Sequence, residues 1–354
     1  MAEILVVGAG PAGLAVAIKL ARAGQRVTIV APKPTDYKLG ECVPGAINRL
    51  LASLELPLLR VQDPDHQTIG GTISLWAGEL RCENYVNRTE GGGWRVDRKV
   101  FENSIANVAK NLEIGRHFGH VRHLDRTTDQ LWEVVTDANE HIEADFVVDA
   151  TGRGGILARK HLIKRVSDRP LVALWMAGRA SEECATNRTL LESTIDGWWY
   201  AAFLPDDRPI AIFHTSPEIA RLVMSDRSLW RVGLGRTELI SQYFQPDIVD
   251  GLSLQSSDAR SFRHDSYFGE GWAACGDAAF SFDPIASQGI FNAMSTSAML
   301  ADCLNSNNFQ DSLSLWEYQS QLNQIFKIYQ NRRTALYESA RLHFRSSFWE
   351  DRCS

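Results

Sequence analysis

Gly8-Ala9-Gly10-Pro11-Ala12-Gly13 is a GxGxxG run set between an apolar stretch, residues 3–7, and an alanine-rich helical pattern from about Ala12 to Ala23. Strand, glycine turn and helix in that order form the unit that grips a dinucleotide's diphosphate. Gly8 permits the tight turn, Gly10 admits the diphosphate close to the backbone, and Gly13 lets the helix pack against the strand. Pro11 and Ala12 open the helix, whose unpaired N–H groups attract an anion. An acid usually ends the second strand and bonds the ribose hydroxyls. Here Val27-Thr28-Ile29-Val30 runs into Ala31, so the adenosine ribose is held in another way, or weakly.

Two further motifs point to a flavin. Gly276-Asp277 follows the apolar stretch Trp272–Cys275 and precedes Asp283-Pro284 and Ser287-Gln288-Gly289. A carboxylate at Asp277 can accept hydrogen bonds from ribityl hydroxyls. The stretch from Pro284 through Ser287 to Gly289 leads into a helix whose positive N-terminal end would stabilise a reduced flavin. Asp149-Ala150-Thr151-Gly152 ends another apolar strand, where a small side chain and a glycine let the backbone pass near the cofactor.

The strongest aromatic signal is Gly197-Trp198-Trp199-Tyr200-Ala201-Ala202-Phe203-Leu204-Pro205. In a strand, Trp198 and Tyr200 share one face and Trp199 the other. One set is expected to line a substrate pocket suited to a flat ring; the pattern leaves open which, and both sets could equally be core. His214 could accept a proton or simply be hydrogen-bonded at a sheet edge. Glu192 is a comparable candidate.

The elements that position these residues alternate between two characters. Short strands and helices fill 1–68, 98–168 and 258–305, the expected discontinuous cofactor domain. Residues 69–97 and 169–257 read as a substrate domain built on consecutive antiparallel strands near 171–178, 189–195, 198–204 and 209–215. Residues 229–244 read as one helix, and 306–354 as a helical C-terminal segment. The fold class is α/β: a Rossmann-like FAD-binding domain with an inserted antiparallel β-sheet domain and C-terminal helices.

Composition excludes several classes. The chain has 354 residues, a net charge of -6 and no long basic run, so no nucleic-acid surface is expected. Its six cysteines contain no CxxC pair, and no HExxH or similar cluster suggests a metal. No apolar run reaches the roughly 18 residues of a membrane span. With no signal-peptide pattern, a cytoplasmic enzyme is the expectation.

In this order the motifs resemble the FAD-dependent monooxygenase superfamily with the p-hydroxybenzoate hydroxylase fold, which includes the tryptophan halogenases. Gly40-Glu41-Cys42-Val43-Pro44 resembles the halogenase "GES" loop, and Val96-Asp97-Arg98 the arginine-bearing start of the helix bordering FAD. The resemblance implies cofactor contacts at Glu41, Arg98 and Asp277, with dioxygen as co-substrate. It also implies oxygen transfer to an aromatic ring, or to halide in a halogenase, where a lysine between loop and helix relays the hypohalite. Residues 45–97 hold no lysine, and Gly197–Pro205 does not match the halogenase WxWxIP motif. The chain is more similar to the LodB/GoxB-type flavoproteins that mature cysteine tryptophylquinone oxidases. That similarity implies hydroxylation of a tryptophan in a partner, a precursor quinoprotein amino-acid oxidase. The alternatives are a hydroxylase or halogenase of a free small aromatic, and a flavin-binding maturation chaperone. The electron donor is open between NAD(P)H and a separate reductase.

Overall fold

The computed structural model describes residues 3–34, 42–85, 88, 91–178, 186–244, 254–306 and 312–353. A six-stranded sheet carries the glycine motif. Its order is Phe268–Gly269, Trp272–Ala274, Phe146–Asp149, Glu3–Val7, Arg26–Ala31, Gly115–Phe118. All neighbours are parallel except the first pair. The central strands are apolar along their whole length because helices cover the sheet; Ile4, Leu5, Val6, Val147 and Val148 are fully buried. Helix Pro11–Arg22 follows the first strand and packs against helix Gly289–Ser306. Lys19 ties the two together through a 2.5 Å ion pair to Asp302. Helix Arg98–Asn111 starts where the Asp97 carboxylate accepts the Val100 amide proton at 2.9 Å, an N-cap legible in the sequence.

The second large sheet has seven strands, in the order Gln255–Asp258, Val172–Ala177, Pro209–Thr215, Gly197–Phe203, Arg188–Thr194, Gly71–Trp76, Glu79–Asn84. The expectation of consecutive antiparallel strands needs correction. Val172–Ala177 pairs with Pro209–Thr215 and not with its successor in the chain, and Arg188–Thr194 runs parallel to Gly71–Trp76. Strand spacing alone does not reveal such crossovers. Each face of this sheet is roofed. One side meets helices Pro217–Ser225 and Ser228–Gly235 through Trp199, Phe203, Phe213 and Trp230. The other meets the C-terminal helices Ser312–Phe344 and Ser347–Cys353 through Trp198, Tyr200, Tyr337 and Trp349.

The single helix expected over 229–244 is two pieces, Ser228–Gly235 and a short 3-10 turn at Ile240–Gln242. The break has a clear cause. The amides of Glu238, Leu239 and Ile240 donate to the Glu192 carboxylate at 2.6, 2.9 and 3.0 Å, so they do not continue the helical ladder. Among the described residues, no helix is long and apolar enough to cross a membrane.

Candidate active site

Val7, Asp149 and Ala274 sit side by side in register at the ends of three adjacent parallel strands. The three motifs therefore leave the sheet at one edge, where open α/β sheets bind ligands. Their fit is steric. Gly8 has φ +115°, and a Cβ there would stand 2.2 Å from the Ala150 carbonyl oxygen; one at Gly13 would stand 1.9 Å from the Gly8 oxygen. A Cβ on Gly276 would lie 2.8 Å from Ala12 Cβ. The glycine turn, the Asp149–Gly152 turn and the Gly276-Asp277 turn thus touch one another directly.

Gly10 differs from its neighbours. Among the described residues, its chain neighbours and its own helix backbone aside, no atom lies within 4 Å of where its Cβ would stand, and no side chain caps the helix that starts at Pro11. The middle glycine and the first-turn amides form an outward-facing cradle of the shape and polarity a diphosphate requires. The residues present therefore fit a dinucleotide. Ala31 is buried at the end of its strand and brings no ribose ligand.

Asp149 serves the turn itself. Its Oδ1 accepts the Thr151 amide at 3.1 Å and the Thr151 hydroxyl at 2.6 Å, and its Oδ2 accepts the Leu157 amide at 2.8 Å. Burial raises its pKa against those bonds. Asp277 is linked back to the same segment, because Arg153 donates to Ser281 Oγ at 2.5 Å and Ser281 Oγ donates to Asp277 Oδ2 at 3.0 Å. Burial pushes the Asp277 pKa up, while Arg153, Ser281 and Arg98 pull it down. The tertiary structure thus places Arg98, held by a 2.5 Å pair with Glu102, within electrostatic reach of Asp277. Glu41 lies outside the described residues.

Pro284 opens a short 3-10 turn that Asp283 caps, its carboxylate accepting the Ile285 amide at 2.9 Å. Ser287 then takes a left-handed conformation (φ +47°), and Ser287 to Gly289 are exposed at the start of the long helix. Ile285 and Cys42 both pack against the face carrying Trp198 and Tyr200, and Cys42 Sγ lies 2.8 Å from the Tyr200 hydroxyl. That face is turned toward the cofactor-side loops.

Three candidates are corrected by this geometry. Trp199 points to the opposite face, stacked on Phe213 at 4.7 Å and edge-on to Trp230. Glu192 pairs with Trp199 across the strands and spends its carboxylate on the three amides given above, so it is a buried turn anchor. His214 is not at a sheet edge, since its strand is paired on both sides. It lies flat against Trp198, and burial depresses its pKa to about 3, opposed only by the Trp198 backbone. It is therefore neutral and a weak base.

A buried hydrogen-bond chain joins segments that no local sequence pattern connects. Trp198 Nε1 donates to the Tyr337 hydroxyl at 3.1 Å, which donates to Asp283 Oδ2 at 2.6 Å. The C-terminal helix thereby fixes both the aromatic wall and the turn beside it. Asp283 stands in a visible motif, but Tyr337 is over fifty residues away, with no local signal to mark it.

Residues 3–168 match the family described as FAD dependent oxidoreductase. LodB of Marinomonas mediterranea, an FAD-dependent oxidoreductase, is 25% identical over 359 residues, covering 99% of this chain and 96% of its own. The flavin-dependent halogenase ptaM of Pestalotiopsis fici is 25% identical over 339 residues, covering 84% of this chain. The match takes in 62% of the halogenase, less than two thirds of its length. Among solved structures, QhpG, a peptidyl tryptophan dihydroxylase essential for tryptophylquinone cofactor biogenesis, superposes with a TM-score of 0.80 at 22% identity, covering 99% of this chain and 78% of its own. Fold and motif layout together define a flavoenzyme of the monooxygenase and halogenase architecture. Residues 3–168 match the FAD-dependent oxidoreductases, and the chain is similar to LodB over nearly its whole length.

Proposed function

We propose that this enzyme hydroxylates a tryptophan of a partner protein, a precursor quinoprotein amino-acid oxidase, during cysteine tryptophylquinone formation. The observation that carries the reading is the absence of lysine from residues 45–97. Without a lysine to relay hypohalite, the oxygen atom passes directly to the ring. End-to-end similarity to LodB and the fold shared with QhpG support it.

Bound FAD supplies the chemistry that activates dioxygen. One oxygen atom enters a ring C–H bond and the other leaves as water, with two electrons drawn from NAD(P)H or a separate reductase and two protons supplied in all by the donor and the solvent. The chain's residues bind and orient. Gly8, Gly10, Pro11, Ala12 and Gly13 would hold the diphosphate, and Arg98, Asp277 and Gly276 the ribityl side. Pro284, Ser287 and Gly289 would present a helix N-terminus to the ring. Trp198 and Tyr200 form the aromatic wall for a flat indole. Trp198 is held on its edge by Tyr337 and on its face by His214, which fixes the orientation of the wall.

The test is mass spectrometry after turnover with FAD, a reductant, air and bromide, offering free tryptophan beside the unmodified precursor. Oxygen on the precursor's tryptophan alone supports the proposal. Oxygenated or brominated free tryptophan with an unchanged precursor moves the function to small aromatics. No product from either, with tight binding of the precursor, leaves a maturation chaperone.

A further inference from the structure

Arg95 lies in the short strand Trp94–Val96, directly opposite Cys42 on one neighbour and Gln67 on the other. Residues directly opposite one another share a face. That face is turned to the aromatic strand: Cys42 touches the Tyr200 hydroxyl, and Arg95 Nη1 donates to the Phe203 carbonyl at 2.6 Å.

The guanidinium is 0% exposed and cannot shed its charge. Among the described residues both acceptors it meets are uncharged, the Phe203 carbonyl and, at 3.4 Å, the Gln67 side-chain oxygen. Among the described residues, Nε and Nη2 have no hydrogen-bond partner. A buried cation left this way is costly, and natural sites keep one only where something completes it. The two unmatched nitrogens lie on one edge of the guanidinium, where their N–H bonds run parallel. That edge is the fork that binds the two oxygens of a carboxylate.

We propose that Arg95 is a substrate-recognition residue whose Nε/Nη2 edge binds a carboxylate carried by the substrate, next to the Tyr200 wall. This rests on the proposed aromatic substrate and narrows it. The acid belongs to an Asp or Glu beside the target tryptophan in a protein substrate, or to an aromatic acid in a small one. A lysine would not replace Arg95 fully, because a point charge lacks the fork.

The experiment titrates flavin-loaded enzyme with indole-3-acetate and with its neutral counterpart indole-3-acetamide, following the flavin absorption spectrum and the melting temperature. The wild type binds the acid at least about tenfold more tightly than the amide, as expected for a paired, charge-assisted contact. Arg95→Met abolishes the preference and Arg95→Lys retains part of it. Arg95→Met melts no lower than wild type, since it removes a buried charge without a carboxylate partner; if it fails to fold, the Arg95→Lys comparison carries the test. Equal affinities in the wild type, or a preference that survives in Arg95→Met, overturns the assignment. So does a loss of flavin from Arg95→Met with the preference intact, which gives Arg95 to the cofactor. Tryptophan peptides carrying Asp or Asn beside the indole separate the protein source of the acid from the free one. An acid preference without oxygenation of the precursor overturns the proposed function and leaves Arg95's role standing.

Discussion

The indole of Trp198 lies against the imidazole of His214 with ring centroids 3.6 Å apart and planes 11° from parallel. The two stand opposite each other on neighbouring strands, so backbone pairing enforces the stack. The imidazole therefore supports the aromatic wall and stays uncharged while doing so, which sets the first prediction.

His214 has a folded-state pKa near 3, below its unfolded value of 6.5. A depressed histidine contributes stability that is fully present above the unfolded pKa. That stability is lost progressively as pH falls from 6.5 toward 3, because the unfolded chain takes up the proton first. Melting curves of wild type and His214→Phe should diverge in their pH dependence across this window. The wild type should lose on the order of a few kcal/mol more. A rate profile should show no limb between pH 5 and 8 that disappears in His214→Phe.

Gly10→Ala and Gly13→Ala should fail differently. An alanine at Gly13 would push a methyl into the Gly8 carbonyl, whereas one at Gly10 meets no atom of another described segment. Gly10→Ala should therefore melt like the wild-type apoprotein yet retain little flavin by absorbance at purification. Gly13→Ala should lose both thermal stability and flavin. Full flavin retention by Gly10→Ala would remove the diphosphate from this cradle.

Tyr337→Phe deletes the hydroxyl between Trp198 and Asp283. It leaves a buried indole N–H without an acceptor and a buried carboxyl oxygen without a donor, at about 1–3 kcal/mol for each unsatisfied group. Denaturant titration should show that loss. Because the substituted residue lies behind the wall, substrate KM should rise more than FAD affinity falls.

Glu192→Ala should unfold readily while leaving chemistry alone. Its carboxylate holds three backbone amides, and stranding them costs about 3 kcal/mol or more. Glu192→Gln keeps one acceptor oxygen and should recover part of the stability. At a temperature where both variants are folded, kcat should match the wild type; a large fall would return Glu192 to the catalytic machinery.

Local spacing determined much about this protein. The glycine run between a strand and a helix, the Gly276-Asp277 turn and the Asp149–Gly152 turn each declare themselves within a few residues, because a tight turn or a close backbone approach restricts residue type at that position. The helix from Pro11 and the FAD dependence followed from them, and the helical character of 306–354 from its own pattern. The Ser216-Pro217 start of helix Pro217–Ser225, with Ser216 as N-cap, was equally local and could have been read. What the tertiary structure alone decided are pairings between distant segments. Alternation separates Trp198 from Trp199, but only the roof over each face tells which of them looks toward the cofactor loops. Strand spacing does not say that Arg188–Thr194 runs parallel to Gly71–Trp76. Nothing near Glu192 shows that its carboxylate will meet amides 46 to 48 residues away, nor anything near Asp283 that Tyr337 will reach it. The physical reason is the same in each case. A hydrogen bond or stack between segments far apart in the chain depends on the packing of whole layers, and a window of sequence holds only one of the two partners.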